Sequence, residues 1–465
     1  MNAALSAARE ALAGEEAWVV GGALRDRLLG RETDDVDLAT PGDAREPARR
    51  LARATGAFAF ALSEEFGAWR VTARDRAWQA DLMPLEGGTI EDDLARRDFT
   101  VNAMAEPLRG GELVDPFGGR ADLQARRLRV VSARSFEDDP VRVMRLARLS
   151  VALGLEVEPG TAAAARAAAP RLPAAAGERV FGELKLLVGG PRPEAGIGAL
   201  DAAGALEAVL PEVAALRGVE QNRFHHLDVY SHTLEVLTTA ARLEDGPEVL
   251  GEHATAVAAF LAEPLADELT RGQALRLGAL LHDVAKPPTR EETPEGRITF
   301  MDHDARGADM VREALGRLRA SQRLREHVAA LTRHHLRLGF LVHRRPVSPR
   351  AVHDYLRACE PVEVDVTLLS IADRLATRGD RADEAIARHL ELAGRLLGEA
   401  LRWHAEGPPE PLVRGDELAS ELGIERGPGL GRLLRELEAA QFAGEIGSRA
   451  DALAHARRAA GEPAH

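Results

Sequence analysis

Hydrophobic periodicity changes character once along this chain, near residue 137, and that change constrains the fold more than any single motif. Before it, short apolar runs such as "AWVVGG", "GAWRVTA" and "ELVDPFGG" alternate with turn residues, the pattern of strands mixed with short helices. After it, "PVRVMRLARLSVALGL" places apolar residues three and four apart behind a proline suited to a first helical turn. Helical periodicity then continues to the end, broken at "LVGGPRPEAGIG" and at "EGPPEPLVRGDELAS". These features predict an α+β chain: a head of strands mixed with helices over 1–134, an all-α neck over 135–215, a second all-α domain over 216–405 and a helical tail over 406–465. Residues 262–271 and 287–297 read as loops.

At 465 residues the chain exceeds what one core supports, so several domains are expected. A net charge of -14 argues against polyanion binding over the whole surface, so nucleic acid must be met by a local basic patch. Residues 120–148 hold eight arginines against four acids, and residues 312–350 hold ten against two. The single cysteine, Cys359, allows no intrachain disulfide and no cysteine-only metal site. The opening "MNAALSAAREALAGEE" lacks a basic n-region and an apolar h-region, and nowhere do eighteen apolar residues run together. A cytoplasmic protein without a membrane segment is expected.

Two chemistries divide the chain. In the head, "AWVV" reads as a buried strand, and Gly21-Gly22 permits a turn whose backbone N–H groups can approach a ligand without Cβ interference. "ALRDRLLG" then reads as a helix whose N-terminus suits phosphate, with Arg25 as an added cation. In "DDVDLAT", Asp35 and Asp37 lie two apart in a strand and so project from one face, where they can share magnesium ions with substrate phosphates. Asp81, in "WQADLMPL", is a third carboxylate on a neighbouring strand, or simply a solvated edge residue.

"GGALRDRLLG", "DDVDLAT", "DLARRDFTVNAMA" and "DDPVRVMRLARL", in that order, resemble the bacterial tRNA nucleotidyltransferase and poly(A) polymerase family, the CCA-adding enzymes. The resemblance covers head and neck, about half of the chain. It implies a nucleotidyltransferase head with a small mixed sheet, and Asp35 and Asp37 as magnesium ligands and catalytic groups beside Asp81. It further implies that Arg96, Arg97 and Asp98 contact the sugar and phosphates of CTP or ATP, and that tRNA is the acceptor. Asp139 and Arg142, three apart at a helix start, can accept from an exocyclic amine and donate to the adjacent ring acceptor of cytosine or adenine. Preceding Pro140, Asp139 also suits an N-cap, the alternative reading of this residue. The nucleotide-binding set is thus Gly21, Gly22, Arg25, Arg96, Arg97, Asp98, Asp139, Arg142 and Arg145.

Two departures from the family pattern stand out. Asp138 occupies a position where many relatives carry glutamate. Only fourteen residues separate Asp81 from Arg96, and a short segment here is characteristic of relatives that add only the two cytidines. Addition of C with A, and addition of C alone, both remain as readings, with poly(A) synthesis as a competitor.

The second chemistry lies in the other half, where all fifteen histidines fall. "LLHDVAK" puts His282 and Asp283 together in an apolar helix, a costly pair unless coordinated or hydrogen-bonded. With His232, His303, His334 and Asp373 the set resembles the HD phosphohydrolase superfamily, so that 216–405 is read as an HD domain. The resemblance implies a first metal on His232, His282, Asp283 and Asp373 and a second using His303 and His334. His335 is an equally placed alternative to His334. The ion is a divalent transition metal or magnesium. Lys286 is one of only two lysines and falls one turn beyond His282, suiting it to a phosphate contact. Metal-assisted phosphoester hydrolysis is the expected reaction, for example of a 2′,3′-cyclic phosphate. From another class, the head is a nucleotide- or RNA-sensing regulator and the HD domain the only catalyst.

Overall fold

The computed structural model describes residues 3–31, 33–132, 134–221, 227–344, 346–377 and 382–460; His225, the first of the histidines, lies outside them. The chain forms two compact units, residues 1–183 with 198–209 and residues 184–197 with 210–465, so the stretch 135–215 contributes to both. The fold is α+β, with its main sheet in the first unit and helices dominating the second.

The first unit opens with α1 (Ala3–Ala11), β1 (Trp18–Val20), α2 (Gly21–Leu28), β2 (Asp35–Thr40) and α3 (Arg45–Thr55). It continues through β3 (Phe58–Ser63), β4 (Ala68–Thr72), β5 (Gln79–Pro84), α4 (Ile90–Ala95) and β6 (Ala105–Pro107). The six strands form one mixed sheet in the order β3-β4-β5-β2-β1-β6. Only the β2–β5 pair is parallel, because β5 returns beside β2 after the β3–β4 hairpin.

In-register residues of neighbouring strands share a face, so pairing divides the sheet cleanly. Val36, Val71 and Ala80 form one row and Leu38, Trp69 and Leu82 another, all on the face that α3 covers. Val36, Leu38, Val71, Ala80 and Leu82 are nearly inaccessible there. On the opposite face Trp18, Val20 and Ala39 pack with Ile90, Leu94, Ala103 and Ala105, closing one end of the sheet. Asp35, Asp37 and Asp81 lie on the rest of that second face, which the cluster leaves open.

In the second unit, helices Val229–Arg242, Arg271–Leu281, His303–Arg317, Gln322–His334 and Glu363–Ala376 carry the histidine-rich core. The stretches read as loops instead contain short hairpins, Pro264–Ala266 with Leu269–Thr270 and Arg290–Glu292 with Ile298–Phe300, because two or three paired residues suffice to close such turns. The C-terminal helices Gly415–Leu422, Pro428–Phe442 and Arg449–Ala459 pack around Leu418, Leu437 and Ala456. No helix among the described residues is long and apolar enough to cross a membrane.

Candidate functional site

In the head, β1 ends at Val20 and α2 begins at once with Gly21 in the left-handed region, φ +67°. A Cβ there would lie 3.0 Å from Asp37 Oδ2 and 3.1 Å from Arg97 Nη1, so glycine is what lets the turn approach the carboxylate and the guanidinium together. Val20 and Asp37 are cross-strand partners, which brings the turn beside the strand that carries the acids. Arg97 is held in place by Asp93 at 2.9 Å, one turn earlier.

Asp35 and Asp37 share a face of β2, Asp35 exposed and Asp37 half-buried, while Val36 between them faces the core. Burial raises the Asp37 carboxyl above its ordinary range, and the neighbouring charges of Asp81 and Asp35 push the same way against Arg97 and the Ala23 amide. Crowded carboxylates of this kind are relieved by a cation, and an all-oxygen donor set suits magnesium. Asp81 is the register partner of Asp37 across the parallel pair. Both of its oxygens accept from Arg70, at 2.7 Å each, so Asp81 is charge-compensated by a side chain that the sequence did not single out.

The remaining nucleotide-site residues form a connected polar network. Arg25 donates to Asn102 Oδ1 at 2.7 Å and pairs with Asp26, and its guanidinium lies against Gly22. Asn102 donates in turn to Asp98 Oδ1 at 2.9 Å, and Arg145 donates to Asp98 Oδ2 at 2.9 Å. Burial pushes Asp98 up, yet Arg145, Asn102 and the Phe99 amide outweigh it and hold the carboxyl below its ordinary range. Arg145 also reaches Glu183, so its guanidinium positions Asp98 within the protein. Arg142 donates to the Arg96 carbonyl at 2.8 Å and to Ser135 Oγ at 2.6 Å, while the Arg96 side chain remains largely exposed. Asp139 accepts from the Val141 amide at 3.2 Å and from Arg179 at 2.6 Å, with Arg142 Nε at 3.9 Å. Asn102 and Asp93 were visible inside the motif "DLARRDFTVNAMA", whereas Arg179 and Glu183 lie about 40 residues beyond their partners and left no local signal.

The second cluster sits where helix ends converge. Helix Arg271–Leu281 stops with His282 as its C-cap, so His282, Asp283 and Lys286 occupy the following turn and not the helix expected; Pro287 and Pro288 cannot continue it. His303 is the first residue of its helix and His335 the C-cap of Gln322–His334. Gly307 permits close approach of these two helices, since a Cβ there would meet Thr332 at 2.9 Å.

His282, His303 and His335 each place Nδ1 on the carbonyl three residues back, Ala279, Phe300 and Thr332, at 2.8, 2.7 and 2.7 Å. A carbonyl only accepts, so Nδ1 bears the hydrogen and Nε2 offers a lone pair. Those three Nε2 atoms lie 3.2, 3.5 and 3.8 Å from the Asp283 oxygens. His232 Nε2 stands 3.0 Å from Asp373 Oδ1.

Ligand atoms of His232, His282 and Asp283 gather within 4.8 Å of one another, as do those of Asp283, His303 and His335. The buried Nε2 atoms of His282 and His303 have no hydrogen-bond partner, a deficit that a cation bridging imidazole and carboxylate removes. The donor set therefore fits two metals sharing Asp283. Burial and the facing rings of His282 and His303 lower the His335 pKa to about 4, keeping its lone pair available. Lys286 places its ammonium 2.6 Å from Asp283 Oδ2 and 2.7 Å from Gln221 Oε1, within the cluster.

His334 is a correction: the structure puts His335 in the cluster instead. One residue along a helix turns a side chain by about 100°. His334 thus points away, its Nδ1 accepting from Arg337 at 2.8 Å, and burial with Arg337 and Arg333 lowers its pKa to about 4.

Residues 17–129 match the poly A polymerase head domain, residues 154–216 a probable RNA and SrmB-binding site of polymerase A, and residues 229–378 the HD domain. An A-adding tRNA nucleotidyltransferase from Deinococcus radiodurans is 39% identical over 96% of each chain. The chain belongs to the tRNA nucleotidyltransferase family.

A CC-adding member from Thermus thermophilus is 34% identical over 95% of this chain and 93% of its own. Among solved structures, a CCA-adding enzyme in complex with ATP has a TM-score of 0.65 at 20% identity, covering 98% of this chain and 94% of its own. The Thermotoga maritima CCA-adding enzyme complexed with tRNA has a TM-score of 0.60 at 21% identity over the same shares. At such identity these two show a common fold.

Proposed function

We propose that the head transfers cytidylate from CTP to the 3′ end of tRNA, with Asp35 and Asp37 as the magnesium ligands. The supporting observation is the close approach of both Asp37 and Arg97 to the Gly21 turn, which joins a carboxylate suited to metal to a turn suited to phosphate. The backbone N–H groups at the start of α2, together with Arg97, receive the triphosphate. Asp98, fixed by Asn102 and Arg145, orients the sugar, and Asp139 with Arg142 reads the base edge. Magnesium, when bound, activates the acceptor hydroxyl and stabilises the departing pyrophosphate. The acceptor oxygen bonds to the α-phosphorus, the bond to the pyrophosphate oxygen breaks, and the hydroxyl proton leaves to solvent.

Restriction to C is favoured by the segment before Arg96. β5 runs to Pro84 and α4 starts at Ile90, capped by Thr89 accepting from the Asp92 amide, so only residues 85–89 connect them. Addition of A is the second reading, favoured by the 39% identity to an A-adding relative. The deciding experiment incubates tRNA transcripts ending before CCA, after C and after CC with CTP or ATP, and reads product lengths. Two, one and no C residues are expected, with no A on any transcript. A added to the CC-ended transcript establishes the second reading, and long A tails on unrelated RNA establish poly(A) synthesis.

The HD centre hydrolyses a phosphoester, such as a 2′,3′-cyclic phosphate. His232, His282, Asp283, His303, His335 and Asp373 would hold the metal, which would supply Lewis-acid activation of water and phosphate. Lys286 adds a point charge beside the phosphate.

A further inference from the structure

Aromatic residues make up only 4% of this chain, yet Phe58, Phe60 and Phe66 are all exposed on one hairpin. With Leu62 they account for four of the eight exposed large hydrophobics among the described residues. Phe58 is 56% and Phe60 47% exposed on β3, the edge strand of the sheet.

Register shows which face they occupy. Phe60 pairs with Arg70, Arg70 with Asp81, and Asp81 with Asp37. Phe58 pairs with Thr72, Thr72 with Gln79, and Gln79 with Asp35. Both phenylalanines therefore share the open face of the two magnesium-binding carboxylates, three strand spacings away, or about 14 Å. The residues between them on β3 and β4, Ala59 and Val71, face the opposite side.

The two sides of Asp37 differ in chemistry. Toward β1 lie the Gly21 turn and Arg97, which suit a triphosphate. A leaving pyrophosphate on that side requires the attacking hydroxyl to enter from the other, along β5, β4 and β3. That path holds Asp81 neutralised by Arg70, and then the aromatic edge. Arg74, anchored on the Gly56 carbonyl at 2.7 Å, lies over the Phe58 ring at 5.3 Å and puts a positive charge beside it. An open aromatic face next to a cation is what unpaired bases and their phosphates require.

We infer that Phe58 and Phe60 form a stacking platform for the unpaired bases at the 3′ end of the RNA acceptor, holding that end along the sheet as its hydroxyl reaches Asp37. This rests on the nucleotidyltransferase reading of the head. Loss of both rings removes stacking on two bases and weakens acceptor binding on the order of tenfold or more.

The test uses the full-length chain and an acceptor-stem RNA hairpin whose single-stranded 3′ end carries 2-aminopurine. The expected result is fluorescence quenching by the wild type that is lost in Phe58→Ala/Phe60→Ala. The variant's KM for the hairpin rises on the order of tenfold and its KM for CTP stays at the wild-type value. Phe60→Trp keeps the quenching, which separates stacking from damage to the strand. Unchanged quenching and hairpin KM in the double alanine variant overturn the inference. So does a wild-type dimer that becomes monomeric in the variant with hairpin KM unaltered, since the strand edge then joins two copies of the chain. Failure of the wild type to incorporate any nucleotide overturns the reading of the head, whereas the quenching titration reports on the stacking platform alone.

Discussion

At the scale of single residues, Gly21 is the position where backbone and chemistry depend most directly on each other. Gly21→Ala puts a Cβ at 3.0 Å from Asp37 Oδ2 in a left-handed backbone, a strain of about 1–2 kcal/mol that displaces the carboxylate. Single-turnover CMP incorporation is expected to fall on the order of a hundredfold. An unimpaired rate contradicts the close approach. His334 and His335 give a second residue-scale prediction. His335→Ala loses bound metal by elemental analysis and His334→Ala keeps the wild-type content; the reverse outcome returns His334 to the centre. The adjacent histidines of "TRHHLRLG" were legible as a pair, but the choice between them depends on helix phase at a C-cap, which sequence spacing does not reveal. The Arg70–Asp81 pair was hidden for a related reason, because cross-strand partners are defined by register and not by nearness in the chain.

At the scale of elements, alternation in "DDVDLAT" suffices to put Asp35 and Asp37 on one face, and the structure shows a strand over Asp35–Thr40. Strand order was not legible, since β5 reaches β2 only after an intervening hairpin. The end of helix Arg271–Leu281 was signalled by two prolines just downstream, yet the apolar run before His282 masked where helical geometry gives way to the turn. The N-terminus of helix Glu363–Ala376 yields a pH prediction. Burial, and then Asp365 and Glu360, raise the Glu363 carboxyl from 4.5 to about 7 against the pull of Arg271. A raised folded-state pKa stabilises below 4.5, and that contribution is lost as pH rises through 7. Urea unfolding from pH 4.5 to 7 should therefore show the wild type losing stability relative to Glu363→Gln, by on the order of 1–3 kcal/mol. A constant difference between the two proteins contradicts the assignment.

At the scale of the whole molecule, two polar centres of different donor chemistry lie in different compact units, oxygen-rich around Asp35 and Asp37 and imidazole-rich around Asp283. That division was legible in the absence of histidine from the first 224 residues. Asp35→Ala/Asp37→Ala should abolish nucleotide incorporation and leave hydrolysis of a 2′,3′-cyclic phosphate intact, whereas His282→Ala should do the opposite. Loss of both activities in either variant contradicts independent centres. In the nucleotidyltransferase reading, Asp35 and Asp37 jointly hold the ion that engages the nucleotide. Anomalous diffraction from crystals soaked with manganese and CTP measures it directly. The expected result is a peak bonded to both carboxylates and to the α-phosphate; a bound triphosphate with no peak between it and these two side chains rules out their joint hold on the ion.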